Sequence, residues 1–516
     1  MMASLFLSRV LGIARESIMA AKFGQTGLTD AYVLAFQIPD LLFFLIAGGA
    51  LSSAFIPVFS EYLHTNRERE AWRIFSVVTT VMALMVGLFI VVAWVFAEPL
   101  TAITAAGKLK DPGMIPLITH MSRIVLPAQF AFFIGGLMFG TLYARQKFAV
   151  PGMGPNIYNL GIILGAIVLS QFFSPGIIGM AWGALVGAYI GNFVIPLFAM
   201  VKMGSHFSPS LNLREPGVAQ VFKLMLPVVL GLSLPGVYAL IMRYFGSFYA
   251  EGVNTALNNA NQLMQAPLGI FGQSIAIAVF PALSQFYAQQ KLDLYRDQLV
   301  RTMRTVLFIT LPISFVMAAL GPEIVTFLFQ HGKFTGSDSA RVVECLRMFS
   351  IGIPAWCLHP VLMRAFFAVQ NSVKPILLGT ITTVIFVALC YGLGATGMGY
   401  AALPLASSIS AIVLVIVMLV AIHLHVGGLD LKGFGKTLAK GAFASVLAGG
   451  LMWGLSWAFA PVAFGGTTLS SLLKLLLFGL AGAWLYYALT RWLKMPETET
   501  INRALARLKP KPIRWN

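Results

Sequence analysis

Apolar residues along this chain come in blocks of twenty or more, separated by short clusters of polar and turn-forming residues. A helix needs about 20 apolar residues to cross the hydrocarbon core of a bilayer. The pattern therefore predicts spanning helices near 4–23, 28–62, 72–105, 115–145, 153–173, 177–203, 220–248, 254–288, 299–329, 338–369, 375–396, 398–424, 438–460 and 468–493. No stretch alternates apolar and polar positions for long enough to build a transmembrane barrel. The expected fold class is thus an all-α integral membrane protein with about fourteen spans. The second block is broken by Pro39 and by Gly48-Gly49. Such breaks free backbone groups that a water-filled cavity satisfies, and they serve equally as kinks for packing.

The blocks also repeat, at the separation of 224 residues that lies between Pro57 and Pro281. At that offset Ser60 meets Ser284, Arg123 meets Arg347, Gln146 meets Gln370 and Pro151 meets Pro375. Six helices per unit is an even number, so the two halves would run the same way through the membrane, the parallel-repeat plan of many transporters. We expect a six-helix lobe over 1–215, a second over 216–430, two extra helices over 431–495 and a basic tail over 496–516. The lobes would enclose a central cavity and rock to expose it on alternate sides. A channel is the competing architecture, but no filter-like loop appears.

Composition agrees: 58% of residues are hydrophobic, only 10% are charged, and the mean hydropathy is +0.84. Soluble domains run about 25% charged. Cys345, Cys357 and Cys390 have no paired spacing and read as small apolar residues. The first block carries Arg9 and Arg15 and leads straight into further spans, unlike a cleavable signal. The net charge of +17 is explained by topology. With both termini cytoplasmic, that side receives most of the Lys and Arg, among them Arg67, Arg73, Lys432, Lys436 and the tail. The opposite side receives Lys22, Lys108, Lys110, Lys333 and Arg341. This is positive-inside bias, with anionic membrane lipids as the partner and no need of nucleic acid.

The charges within the blocks are the candidate chemistry. A cation at the bilayer centre costs about 2.5–3.5 kcal/mol on insertion scales, so it faces water, a partner or a ligand. Arg15 lies deep in the first block and shares a face with Ser8; Arg9 lies nearer the cytoplasmic end, where snorkelling competes. An anion is the expected ligand. Asp30 follows a short turn and reads either as a helix N-cap or as a substrate contact. The eighth block carries Asn258, Asn261, Gln262 and Gln265 on one helix side, facing either another helix or a polar cavity. Arg123 and Arg347 occupy equivalent places, which favours a structural role common to both halves. Arg243 and Arg364 lie near helix ends, where snorkelling accounts for them. No P-loop, HExxH cluster or defensible Ser/His/Asp set occurs. These absences favour transport over catalysis, without cofactor or metal, driven by the membrane potential or an ion gradient.

Several of these stretches together resemble a known family. Ser8-Arg9-Val10-Leu11-Gly12-Ile13-Ala14-Arg15-Glu16, Thr29-Asp30-Ala31-Tyr32, Gln37-Ile38-Pro39-Asp40 and Phe55-Ile56-Pro57 look like the N-terminal signature of the MurJ/MviN family. Gln330-His331-Gly332-Lys333-Phe334 looks like its periplasmic loop. The resemblance spans the chain and implies a flippase of the multidrug/oligosaccharidyl-lipid/polysaccharide exporter superfamily in the bacterial cytoplasmic membrane. It implies lipid II, the undecaprenyl-pyrophosphate-linked peptidoglycan precursor, as cargo, Arg9 and Arg15 on the diphosphate, and Asp30 as a further functional position. It also implies a groove made with the last two helices for the polyprenyl tail. Proteins of cell-wall synthesis would be its partners. The chain departs from the family's usual charges at Phe44, Gly48, Asn261 and Gln262. A carrier of another polyprenyl-linked glycan and a non-transporting scaffold are the alternatives; a drug exporter suits cationic cargo, which two arginines would repel.

Overall fold

The computed structural model describes residues 2–46, 50–232, 234–461 and 467–499, which hold 22 α-helices and no strand. The chain opens with α1 (Met2–Phe23), α2 (Gly27–Ala35), α3 (Gln37–Ile46) and α4 (Ala50–His64). There follow α5 (Glu68–Val95), α6 (Ala97–Thr104), α7 (Met114–Val125), α8 (Ala128–Ala144) and α9 (Ala149–Ile167). Next come α10 (Ile178–Tyr189), α11 (Ile195–Lys202), α12 (Pro216–Leu232), α13 (Leu234–Gly246), α14 (Val253–Pro267) and α15 (Ser274–Ala288). The remainder is α16 (Leu292–Ala319), α17 (Gly321–Phe329), α18 (Gly336–Ala368), α19 (Val373–Gly394), α20 (Ala402–His425), α21 (Leu431–Ala458) and α22 (Thr467–Trp492).

Among the described residues, eleven helical stretches are long and apolar enough to cross a membrane, against the fourteen expected. The first, second and seventh blocks are not among these stretches. Arg9, Arg15, Glu16 and Lys22 interrupt the apolar run of α1. The second block is divided into α2, α3 and α4, with Gly48-Gly49 outside the described residues. The seventh holds α12 and α13, and residue 233 between them lies outside the described residues. Tail residues 500–516 also lie outside the described residues.

The 224-residue repeat is written into the backbone. α5 starts at Glu68 and α16 at Leu292; α8 ends at Ala144 and α18 at Ala368. Positive φ angles recur at Asn66 and Gln290, and again at Gln146 and Gln370, all near 57°. The residue after each closes a helix end, as in Arg67 N–H to Tyr62 O and Lys291 N–H to Phe286 O, at 3.0 and 2.9 Å.

Two compact units emerge: Met1–Asn259 with Leu328–Arg341 and Val387–Leu403, and Ala260–Phe327 with Val342–Phe386 and Pro404–Asn516. In the first, Phe55, Phe59, Trp72 and Phe75 form an aromatic core joining α4 and α5. A second core joins α2, α7, α9 and α10 through Leu34, Met121, Ile162 and Met180. There α9 and α10 approach backbone to backbone: a Cβ on Gly183 would lie 2.3 Å from the Gly161 carbonyl oxygen. Small residues make such contact available where lipid supplies no hydrophobic drive, and they hold α9 as the wall against which α1 packs. In the second unit α16, α21 and α22 pack around Phe308, Ala444, Ala448 and Tyr486, whose hydroxyl donates to Phe308 O at 2.7 Å.

Candidate functional site

Helix α1 is pinned to α9 by polar groups rather than by apolar interlock. Asn156 donates to Ser4 Oγ at 2.8 Å, and Asn159 donates to the Ser8 carbonyl oxygen at 3.3 Å. The other end of the Asn159 amide accepts from Arg15 Nη1 at 3.1 Å. Arg15 also pairs with its neighbour Glu16, from Nη2 at 2.5 Å and from Nε at 3.2 Å. Glu16 is almost fully buried, and Asn258 of α14 reaches its second oxygen at 3.5 Å.

A second ion pair completes the site. Arg243 near the end of α13 donates to Asp40 on α3 at 2.6 Å, with Arg243 about one-fifth exposed. Gln37 reinforces the same helix pair by donating to the Leu240 carbonyl at 3.2 Å. Together Arg15, Glu16, Asp40, Arg243, Asn258, Tyr32 and Tyr158 line a cavity of ≈ 190 Å³. Two guanidinium groups and two carboxylates face it, so its formal charge is balanced. The site is built by α1, by α2 and α3, and by α13. Tyr158 comes from α9 and Asn258 from α14.

Of the residues singled out from sequence, Arg15 and Asn258 line this cavity. Ser8 meets it indirectly, through Asn159. Arg9 is exposed and does not line it. Asn261, Gln262 and Gln265 follow on α14, partly exposed and outside the lining. Asp30 is fully buried and does not cap its own helix. Its own helix begins at Thr26, paired with Thr29. Asp30 instead caps α14, accepting from Gly252 N–H, Thr255 N–H and Thr255 Oγ1, each at 2.8 Å. Glu251 returns the favour to α2 by accepting from Gly27 N–H at 3.2 Å. Each helix N-terminus thus receives a carboxylate from the other, which is where the helix dipole favours one.

Sequence reading missed Asp40, Glu16, Tyr158 and, above all, Arg243, which it assigned to snorkelling. The available signal was a pair of opposite charges, Asp40 and Arg243, inside the second and seventh apolar blocks.

Three comparisons extend these observations. A family profile described as "Lipid II flippase MurJ" matches residues 19–473. A protein named "Probable lipid II flippase MurJ" from Buchnera aphidicola subsp. Baizongia pistaciae is 30% identical over 372 residues, 72% of either chain. Among solved structures, "Lipid II flippase MurJ, inward closed conformation" aligns over 95% of this chain and 98% of its own, with TM-score 0.77 and 23% identity. An inward-facing multidrug resistance MATE family transporter of the MOP superfamily follows at TM-score 0.69 and 13% identity, covering 83% and 98%.

Proposed function

The chain belongs to the lipid II flippase MurJ family, and from that membership we propose how it carries lipid II across a bacterial inner membrane. Arg15 and Arg243 bind the diphosphate, Asn258 and Tyr158 contact the adjoining sugar, and alternating access of the two repeated halves delivers the headgroup outside. The observation that carries this reading is the convergence of two guanidinium groups on one cavity within an otherwise apolar protein. A planar guanidinium presents paired donors that match phosphate oxygens, and such charge-assisted bonds are about twice as strong as neutral ones.

Glu16 and Asp40 hold these arginines oriented and neutralised. An arriving diphosphate exchanges places with the carboxylates rather than meeting bare cations, which lets it leave again. Asp30 serves as a gating contact, because releasing α14 from α2 breaks three hydrogen bonds to one carboxylate. Arg9, exposed near the start of α1, meets the phosphate on its way in, and the amides Asn261, Gln262 and Gln265 offer later contacts along α14. No nucleotide motif is present, so the drive is the membrane potential or an ion gradient.

The test is complementation of a strain depleted of its lipid II flippase. Wild type restores growth, while Arg15→Ala and Arg243→Ala, expressed at equal level in the membrane, do not. Rescue by both variants would overturn the diphosphate assignment; failure of well-expressed wild type would overturn lipid II as the cargo.

A further inference from the structure

Arg123 and Arg347 hold equivalent places in the repeat and share one anchor. Arg123 Nε donates to the Trp94 carbonyl oxygen at 3.2 Å, and Arg347 Nε donates to that of Ala318 at 3.3 Å. In the first half the guanidinium lies over the Trp94 ring, 5.2 Å from its centroid. In the second half the equivalent residue is Ala318, which offers no ring. Arg347 instead lines a cavity of ≈ 340 Å³ formed by residues of α16, α17, α18, α21 and α22 that all belong to the second compact unit.

The other groups in this cavity point to one kind of ligand. Lys474 makes a single long bond, 3.4 Å to the Ala460 carbonyl oxygen, and an ammonium has three donors. Trp453 and Trp457 are 57% and 74% exposed, as aromatic residues are where they sit at headgroup level. Glu323 is buried; Ser456 donates to one of its oxygens, while the second has no donor among the described residues. Two cations against one acid leave a net positive charge. The same three helices α16, α21 and α22 continue about a turn further in as an apolar groove of ≈ 460 Å³, lined by Val316, Ala448 and Met452.

We propose that this cavity binds the headgroup of a phosphoglycerol phospholipid, its phosphate on Arg347 and Lys474 and a glycerol hydroxyl on Glu323. The exposed indoles of Trp453 and Trp457 make the occupant an amphiphile at headgroup level rather than free phosphate. The volume, near the low end of the ~300–1,000 Å³ that enclose small molecules, suits phosphoglycerol and is too small for a disaccharide bearing a peptide. The ligand is thus a resident membrane lipid and not the cargo, so the site stands or falls independently of the transport reading. With both chain ends cytoplasmic, it lies in the outer leaflet.

The full-length protein, purified in detergent, is titrated in native mass spectrometry with phosphatidylglycerol and phosphatidylcholine of identical chains. Wild type retains phosphatidylglycerol preferentially; Arg347→Gln with Lys474→Gln lowers that retention about tenfold, as loss of charge-assisted bonds requires, and leaves phosphatidylcholine unchanged. The exposed single variants Lys474→Gln and Trp457→Ala, each with unaltered melting temperature, show the same trend. Equal retention of the two lipids, or equal retention by wild type and the double variant, overturns the proposal. So does displacement of bound phosphatidylglycerol by millimolar inorganic phosphate, which would mark a free-anion site. Phosphatidic acid bound as tightly as phosphatidylglycerol overturns the role of the Glu323 oxygen.

Discussion

Arg15 and Arg243 differ in how tightly their carboxylates hold them. Glu16 is 5% exposed beside Arg15, whereas Asp40 is 35% exposed beside Arg243. Removing one partner of a buried pair costs about 3–5 kcal/mol, while an exposed pair contributes about 0–1. Glu16→Ala should therefore lower the melting temperature of the purified protein clearly more than Asp40→Ala; the reverse order would mean that Glu16 is better hydrated than its burial indicates. Arg243→Lys keeps the charge and loses the fork. It should leave stability near wild type while cutting lipid II flipping about tenfold; unchanged flipping in proteoliposomes would reduce Arg243 to a structural strut. Arg15 was legible from sequence because nothing excuses a charge so deep in an apolar block. Arg243 was not, because a position near a helix end offers a sufficient bland explanation until Asp40, 203 residues away, is seen beside it.

Helices α2 and α14 owe their junction to two exchanged carboxylates. Asp30 satisfies two backbone N–H groups and one hydroxyl at the start of α14. Asp30→Ala strands the two buried amides, each worth about 1–3 kcal/mol when unsatisfied, whereas Thr255→Ala removes one hydroxyl and leaves both amides capped. The expected order of destabilisation, read as melting temperatures, is Asp30→Ala well above Thr255→Ala, and near equality would mean water replaces the carboxylate. Element types were readable throughout, because runs of twenty apolar residues admit few alternatives to helix. Element junctions were not. The close approach of α9 to α10 rests on Gly161 and Gly183, which in sequence are two glycines among 49.

At the scale of the whole chain, the repeat was legible because selection on a duplicated helix pair leaves turn residues in register. Asn66 with Gln290 and Gln146 with Gln370 are such residues, each at a left-handed helix end. The number of crossings was less legible, since the first block carries four charges and the second breaks at Phe36. Parity decides whether the seventh crosses. Lys110 follows the third block and Lys436 precedes the thirteenth, and both are exposed. The fourth to twelfth blocks lie between these positions, an odd number, so the two lysines should face opposite sides if every block crosses. If the seventh block fails to cross, the number becomes even and they face the same side. Cysteines placed at these positions report this with a membrane-impermeant maleimide, against a low background because Cys345, Cys357 and Cys390 are buried. Labelling of Lys110→Cys in intact cells, with Lys436→Cys reactive only after the membrane is opened, is the expected pattern. Labelling of both or neither would remove α12 and α13 from the membrane and, with them, Arg243 from an intramembrane site. The inverse pattern would put the phosphoglycerol cavity in the inner leaflet while leaving its chemistry intact.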